Sequence, residues 1–397
     1  MSEDVYLAWS SHDRIRQNGE HGGVVTSLLK LALESEIVDA VLAVKARDGN
    51  RYEGVPTLIT DPEKVIETAG VLHCASPNIA RCLKEYLDGA IDMKVAVVGK
   101  PCDIRAIIEL AKRNQIQKEN LILVGLECTG TLPPATARRM LRSEFDVDPG
   151  DVSREDMEDG KLTVFLRDGT RVTRDLAELE EQGYGRRENC RRCDVNIPSM
   201  ADVACGKWGT NSGKATFVEA FSERGRDLVE KAIKAAAIEV ESPSADALEA
   251  RARKQEAAIH LARKWQDRHF DDLKGTSREG RLDYWAAQFG QCIKCFGCRD
   301  ACPICYCTDC YLQAHRGLVP GGTIPPDVVF PILRTVHVAD SCVNCGQCQD
   351  ACPSELPLSR LTHMLNVEIS SVLEYEPGMD VGAPPPLSVV PEAELVV

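Results

Sequence analysis

No apolar run in the 397 residues is long enough to span a bilayer. The opening M-S-E-D-V-Y-L is acidic and short of the apolar core that a secretory leader carries. A chain with neither feature is expected in the cytoplasm, with no membrane partner. Catalytic signatures are missing too. There is no H-E-x-x-H and no credible Ser–His–Asp order. No G-x-G-x-x-G follows a strand, so a Rossmann NAD site is not indicated. Gly209–Lys214, G-T-N-S-G-K, is one residue short of a phosphate loop and lacks its final Ser or Thr. Positive charge is in deficit, with 47 Lys and Arg against 61 Asp and Glu, a net of -14. That balance argues against nucleic acid and against an anionic membrane surface. Hydrophobic content of 44% is ordinary for a globular protein, and the length suits two or three domains.

Cysteine is what the chain has in excess, at 18 residues. In a chain without a leader these are metal ligands or reduced thiols, not a disulfide framework. Cys292–Pro303 reads C-I-K-C-F-G-C-R-D-A-C-P and Cys342–Pro353 reads C-V-N-C-G-Q-C-Q-D-A-C-P. Each is C-x2-C-x2-C-x3-C-P, the run with which bacterial ferredoxins hold [4Fe–4S] clusters, the fourth cysteine serving the neighbouring cluster. Cys292, Cys295, Cys298 and Cys352 are therefore assigned to one cluster. Cys342, Cys345, Cys348 and Cys302 are assigned to the other. Zinc ribbons would need separated pairs of thiolates instead of a triplet plus one.

The first two-thirds read as α/β with a largely parallel sheet. Strands are expected at Ile37–Val44, Lys94–Val98, Leu121–Leu126 and Thr216–Phe221. Helices are expected from Gly22-Gly23 to Ser35, behind Asp61-Pro62, over Ile79–Leu87, from Gly99–Cys102 to Lys112, and over Arg226–Ala236. Lys161–Arg174 reads as a hairpin about Asp168-Gly169, and Ala245–Leu273 as a long helical connector. The domain division is 1–240, a connector over 241–288, a ferredoxin-like part over 289–366, and an irregular arm over 367–397. Pro320–Pro331 reads as a loop.

In such sheets, sites form at the carboxyl ends of strands. Gly99–Cys102 and Cys128–Gly130 fall at two of them. Cys102 and Cys128 with the pair Cys190 and Cys193 make four thiols outside the ferredoxin-like part. They are open to a third [4Fe–4S] cluster, to zinc, or to simple burial. The cluster is the reading carried forward. Cys305, Cys307 and Cys310, with His315, are open to a Cys3His zinc site or to a further cluster. Cys74, Cys82 and Cys205 are read as packing thiols. Arg186, Arg187, Arg191 and Arg192 form a basic patch, by default a solvated face and otherwise a seat for an anion.

Gly22-Gly23-Val24-Val25-Thr26, Gly99-Lys100-Pro101-Cys102, Cys128 with Gly130, and Cys190-x2-Cys193-Asp194 before Ala201-Asp202-Val203 resemble the beta subunits of coenzyme F420-reducing hydrogenases and formate dehydrogenases. The resemblance runs from about Val5 to Ala236. With the added two-cluster part it is most like the formate dehydrogenase beta chain of methanogenic archaea. It implies an FAD-binding N-terminal domain with F420 as hydride partner, and the whole as an electron-transfer oxidoreductase subunit. Gly22, Gly23, Val24, Thr26 and Lys100 would then contact the flavin, and Arg187 the F420 tail. It also implies a molybdenum or tungsten formate dehydrogenase alpha subunit as partner, with a heterodisulfide reductase assembly as a larger one. The competing readings are a subunit of an F420-reducing hydrogenase or F420H2 dehydrogenase, and a polyferredoxin-like conduit without enzyme activity.

Overall fold

A computed structural model describes residues 4–386, apart from 49, 75, 211–212 and 318–327. Its centre is an eight-stranded sheet. In chain order the strands are β1 (Val5–Ser10), β2 (Ala40–Arg47), β3 (Asn50–Ile59), β4 (Val95–Gly99) and β5 (Leu121–Leu126). After a separate three-stranded sheet of β6 (Val152–Glu158), β7 (Lys161–Leu166) and β8 (Arg171–Asp175) come β9 (Val203–Gly206), β10 (Thr216–Ala220) and β11 (Ile238–Glu241). The large sheet is ordered β11-β1-β10-β9-β5-β4-β2-β3. The central neighbours β9, β5, β4 and β2 pair in parallel. The edges are antiparallel, and β1 runs in the sense of the central four because two reversals separate it from β9.

The central strands read as nearly unbroken aliphatic runs because both faces are covered. Side chains alternate between those faces. Val41, Ala43, Ala96, Val98, Ile122 and Val124 enter a core under the helices Val24–Glu34 and Glu223–Lys234. Leu42, Val95, Val97, Leu121 and Leu123 enter the opposite core, under Ile79–Tyr86 and Pro101–Ala111. Each such fully buried aliphatic side chain contributes about 1.5–3 kcal/mol relative to exposure.

The second core also takes in Cys302, Ile304, Val338, Val343 and Cys345. The ferredoxin-like part therefore completes the covering of the sheet; it is not a body on the far side of a linker. The connector Ala245–Lys274 is a single helix of 30 residues. It is fastened by Arg251, which is buried and pairs with Glu127 at 2.9 Å and with Glu219.

Several expectations change. The segment behind Asp61 is a 3-10 helix, Pro62–Thr68, with Asp61 accepting from the Glu63 N–H at 3.0 Å. Of the loop expected over Pro320–Pro331, residues 320–327 lie outside the described residues. Val329–Val336 is a helix, its apolar residues Phe330 and Pro331 turned inward. Leu358–Leu373 is helical beyond Asn366, so the irregular arm begins later than read. That arm is fixed at its start: Tyr375, Pro377 and Gly378 are buried against Arg105 and Glu109. Residues 387–397 lie outside the described part. Among the described residues no helix is long and apolar enough to cross a membrane.

Candidate functional site

A cavity of about 240 Å³ opens at the carboxyl edge of the parallel strands. Val98-Gly99 of β4, Leu126 of β5, and Cys205-Gly206 of β9 form its floor. The helix Val24–Glu34 starts on its rim. Gly22 and Gly23 precede that helix at φ +82° and +74°, the left-handed region where glycine carries no Cβ penalty. A Cβ on Gly23 would stand 2.8 Å from the Ile15 carbonyl oxygen. The glycine pair therefore serves the turn itself, so a valine at Gly23 would strain the backbone before it obstructed a ligand. Gly23, Val24, Thr26 and Lys100 line the cavity; Gly22 sits behind it, under Lys214 and Trp9.

Lys100 is held by Asp103 at 2.7 Å and reaches the Ser76 hydroxyl at 3.3 Å. Burial opposes its charge, but Asp103, together with Cys102 and Cys128, outweighs burial and raises its pKa. Across the cavity Lys207 pairs with Asp156. His73 and His21 also line it. Burial lowers both, His73 to about 4, so both imidazoles are neutral at pH 7. Glu20 accepts from the Val71 N–H at 3.1 Å, and burial raises its pKa. His21, His73, Glu20 and Ser76 were not singled out from sequence. Only His21, beside the glycine pair, carried a local signal.

Cys128 lines this cavity and is stitched to the Cys190–Cys193 turn. Its N–H donates to the Asn196 carbonyl at 2.9 Å, and the Asn196 amide returns a bond to the Cys128 carbonyl at 2.8 Å. Gly130, at φ +123°, lets Cys190 approach: a Cβ there would lie 3.1 Å from the Cys190 Cβ. The four thiols influence one another's titration. Burial, then Asp103, raise Cys102, with Cys128 and Cys193 adding to them. Burial and Cys190 push Cys128 up to about 11, and Cys193 up to about 12.

The ferredoxin-like cysteines surround two smaller cavities. Cys292, Cys295, Cys298 and Cys352 line one; Cys302, Cys342, Cys345 and Cys348 line the other, where Cys298 also reaches. Each cavity is lined by the four cysteines of one expected set. Cys295 is exposed, while Cys302 and Cys345 are buried. Cys345 in turn is an electrostatic neighbour of Cys102. The junction between the two thiol sets is a reciprocal amide pair, Asn189 to the Asn344 carbonyl at 3.0 Å and Asn344 to the Asn189 carbonyl at 3.1 Å.

Among the described residues no group of three or more His, Cys, Asp or Glu is gathered as one metal ion would require. Thiolates that line a void suit a cubane, which offers a separate iron to each ligand. The zinc arrangement of Cys305, Cys307, Cys310 and His315 is not assembled. His315 turns to Asp309 at 2.9 Å, Cys307 is exposed, and Cys310 is buried.

The arginine patch is not a solvated face. Arg187, Arg191 and Arg192 are all buried, and Arg192 is 1% exposed. Arg186 forks onto Glu180, and Arg187 pairs with Asp350. Arg191 caps the carbonyls of Glu180, Tyr184 and Arg186, and Arg192 meets His269 at 2.8 Å. Arg187 lies outside the large cavity.

An α/β cavity beside two cavities lined by ferredoxin-like cysteines marks an iron–sulfur electron-transfer subunit. The chain belongs to the coenzyme F420 hydrogenase/dehydrogenase beta subunit family, matching its N-terminal part over residues 5–81 and its C-terminal part over residues 92–246. A 4Fe–4S binding domain matches over 335–356. The chain is 42% identical over 380 residues to the F420-dependent formate dehydrogenase subunit beta of Methanocaldococcus jannaschii, covering 96% of this chain and 97% of that one. It is 42% identical over 391 residues to the F420-dependent formate dehydrogenase 1 subunit beta of Methanococcus maripaludis, covering 98% of each. A chain of the F420-reducing [NiFe] hydrogenase complex from Methanosarcina barkeri, in its xenon-derivatised form, shares the fold. The TM-score is 0.58 at 21% identity, over 67% of this chain and 91% of that one.

Proposed function

We propose that the chain is the flavin-bearing, F420-reacting subunit of a formate dehydrogenase, with three [4Fe–4S] clusters leading from the flavin to a catalytic partner subunit. The observation that carries this is Cys128, which lines the large cavity and also belongs to the first thiol set. The relatives' names support the formate and F420 assignments. FAD, when bound, would supply hydride exchange with F420 and single-electron exchange with the clusters.

The chain's own residues do the rest. Val24, Val25, Leu29 and Val44 supply apolar wall for a flat ring. Lys100 and Lys207, each held by a carboxylate, supply fixed positive charge for the electron-rich carbonyl or phosphate side of such a ligand. The neutral imidazoles of His21 and His73 leave that charge uncontested. On this reading the partner is a molybdenum or tungsten formate dehydrogenase alpha subunit. Formate would be oxidised there, and electrons would enter through the set that includes the exposed Cys295.

Purification of the complex with its partner tests this. Bound flavin, iron for three cubanes, and F420 reduction by formate are expected. Filling the cavity by Val25→Trp should abolish flavin binding while leaving the iron in place. Full flavin occupancy in that variant would move the flavin elsewhere. A complex that reduces F420 with hydrogen but not with formate would reassign the partner.

A further inference from the structure

Arg334 lines the cavity of Cys302, Cys342, Cys345 and Cys348, beside Cys298. It projects from the helix Val329–Val336 and is 5% exposed. One Nη donates to the carbonyl of Cys298, a residue that borders both cavities, at 3.2 Å. Its Nε has no hydrogen-bond partner. Among the described residues no carboxylate forms an ion pair with it. The contrast is Arg187, equally buried at the other junction of the relay, which is paired with Asp350.

A buried cation without a counter-ion is costly, so whatever fills the cavities must supply the negative charge. Thiolate-bound cubanes do. Taking up one electron adds one negative charge to such a cluster and moves no proton, so a fixed positive charge nearby favours the reduced form. We propose that Arg334 is the shared counter-charge of the two ferredoxin-like clusters and raises the reduction potential of both, from the wall of one cavity and through its contact with Cys298, which borders both. This rests on the reading that each cavity holds a [4Fe–4S] cluster. Because Arg334 serves both clusters at once, it also screens the repulsion between two electrons resident together. The last stretch of the relay could then hold the pair that formate oxidation delivers.

The test uses the full-length holoprotein and its Arg334→Gln and Arg334→Lys variants, with iron content and spectroscopically monitored redox titration as readouts. In Arg334→Gln two of the three cluster midpoints should shift to more negative potential at unchanged iron content. The third, at Cys102, Cys128, Cys190 and Cys193, should stay in place. Arg334→Lys should keep both midpoints near those of the unaltered protein. Unmoved midpoints in Arg334→Gln, a lysine variant that shifts as far as the glutamine variant, or an equal shift in all three clusters would each overturn the proposal. If Arg334→Gln loses iron, Arg334→Lys must retain it; equal loss in both makes Arg334 a packing residue. Iron in the unaltered protein below that of two ferredoxin-like clusters would refute the cluster reading, and the proposal with it.

Discussion

At Gly346 the backbone sits at φ +72°, and a Cβ there would come 2.2 Å from Asn189 Oδ1 and 2.9 Å from Arg187 Nη2. Glycine is needed at this point because the loop carrying Cys345 must lie against the turn that presents Cys190. In Gly346→Ala the left-handed conformation alone costs about 1–2 kcal/mol. The added methyl group must also displace an amide whose other end is bound to Asn344. The expected outcome is a loss of about 2–3 kcal/mol in denaturant unfolding. Electron flow between flavin and the ferredoxin-like clusters should slow, with flavin content unchanged. Unchanged stability and rate would mean that the two loops need not touch. Glu109 tests the same precision on the other side of the helix. It is fully buried, pairs with Lys112 at 3.1 Å and Arg113 at 2.7 Å, and accepts from the Tyr375 hydroxyl at 2.5 Å. Glu109→Ala strands two buried cations and should cost about 3–5 kcal/mol. Tyr375→Phe leaves the ion pairs in place but removes the hydroxyl's bonds to Glu109 and, at 2.9 Å, from Lys112, and should cost about 1.5–3 kcal/mol. Equal losses in the two variants would show that the arm matters and the ion pairs do not.

Among elements, the junction of the helices Ala245–Lys274 and Leu358–Leu373 carries a pH dependence. His269 is on the first and His363 on the second, with Arg192 beside both. Burial and Arg192 hold His269 down to about 4 and His363 to about 3. Above pH 6.5 the histidines are neutral whether the chain is folded or not, so their contribution is fully present. As pH falls below 6.5 the unfolded chain takes up protons that the folded one refuses. Stability is then lost at about 1.4 kcal/mol per pH unit for each histidine, down towards pH 4. Unfolding measured at pH 7, 6 and 5 should show this slope added to that of the buried His21 and His73, and His363→Phe, packing on Phe270, should lower it by about 1.4 kcal/mol per pH unit. A flat profile from pH 7 to 5 would mean that both imidazoles are solvated. None of this was legible in the sequence, because neither histidine stands near a motif. Elements bounded by strong local signals were legible: Leu121–Leu126 is a strand at the residues expected, and the long connector is a helix. β3 was missed because Gly54 and Pro56 interrupt its pattern, which an edge strand tolerates. The arginine patch misled because counting charges cannot anticipate which carbonyls fold over them. The ferredoxin-like cysteines could be assigned because their ligand spacing is local. The large cavity could not, since its walls come from chain segments nearly 200 residues apart.

For the whole molecule, the α/β part and the ferredoxin-like part share a core. Ile104, Ile107, Ile108 and Leu110 share a core with Ile304, Val338, Val343 and Cys345. The amide pair Asn189–Asn344, the ion pair Arg187–Asp350 and the bond from Lys84 to the Cys305 carbonyl cross the same boundary. The chain then returns, through Tyr375 and Pro377, to the helix that carries Cys102. Residues 1–274 alone would leave in water the part of that core covered by Ile304, Val338 and Val343, so this piece should aggregate and is a poor vehicle for counting the iron held by Cys102, Cys128, Cys190 and Cys193. The converse is a sharper test. Gly275 follows the long helix with nothing within 4 Å of a Cβ built on it, so a protease site can be inserted there without touching the core. After complete cleavage the two fragments should elute together in native buffer and keep their clusters and flavin, separating only in denaturant. Fragments that part in native buffer would restore two independent domains. The thiol sets, brought together by that shared core, would then be neighbours only while the chain is intact.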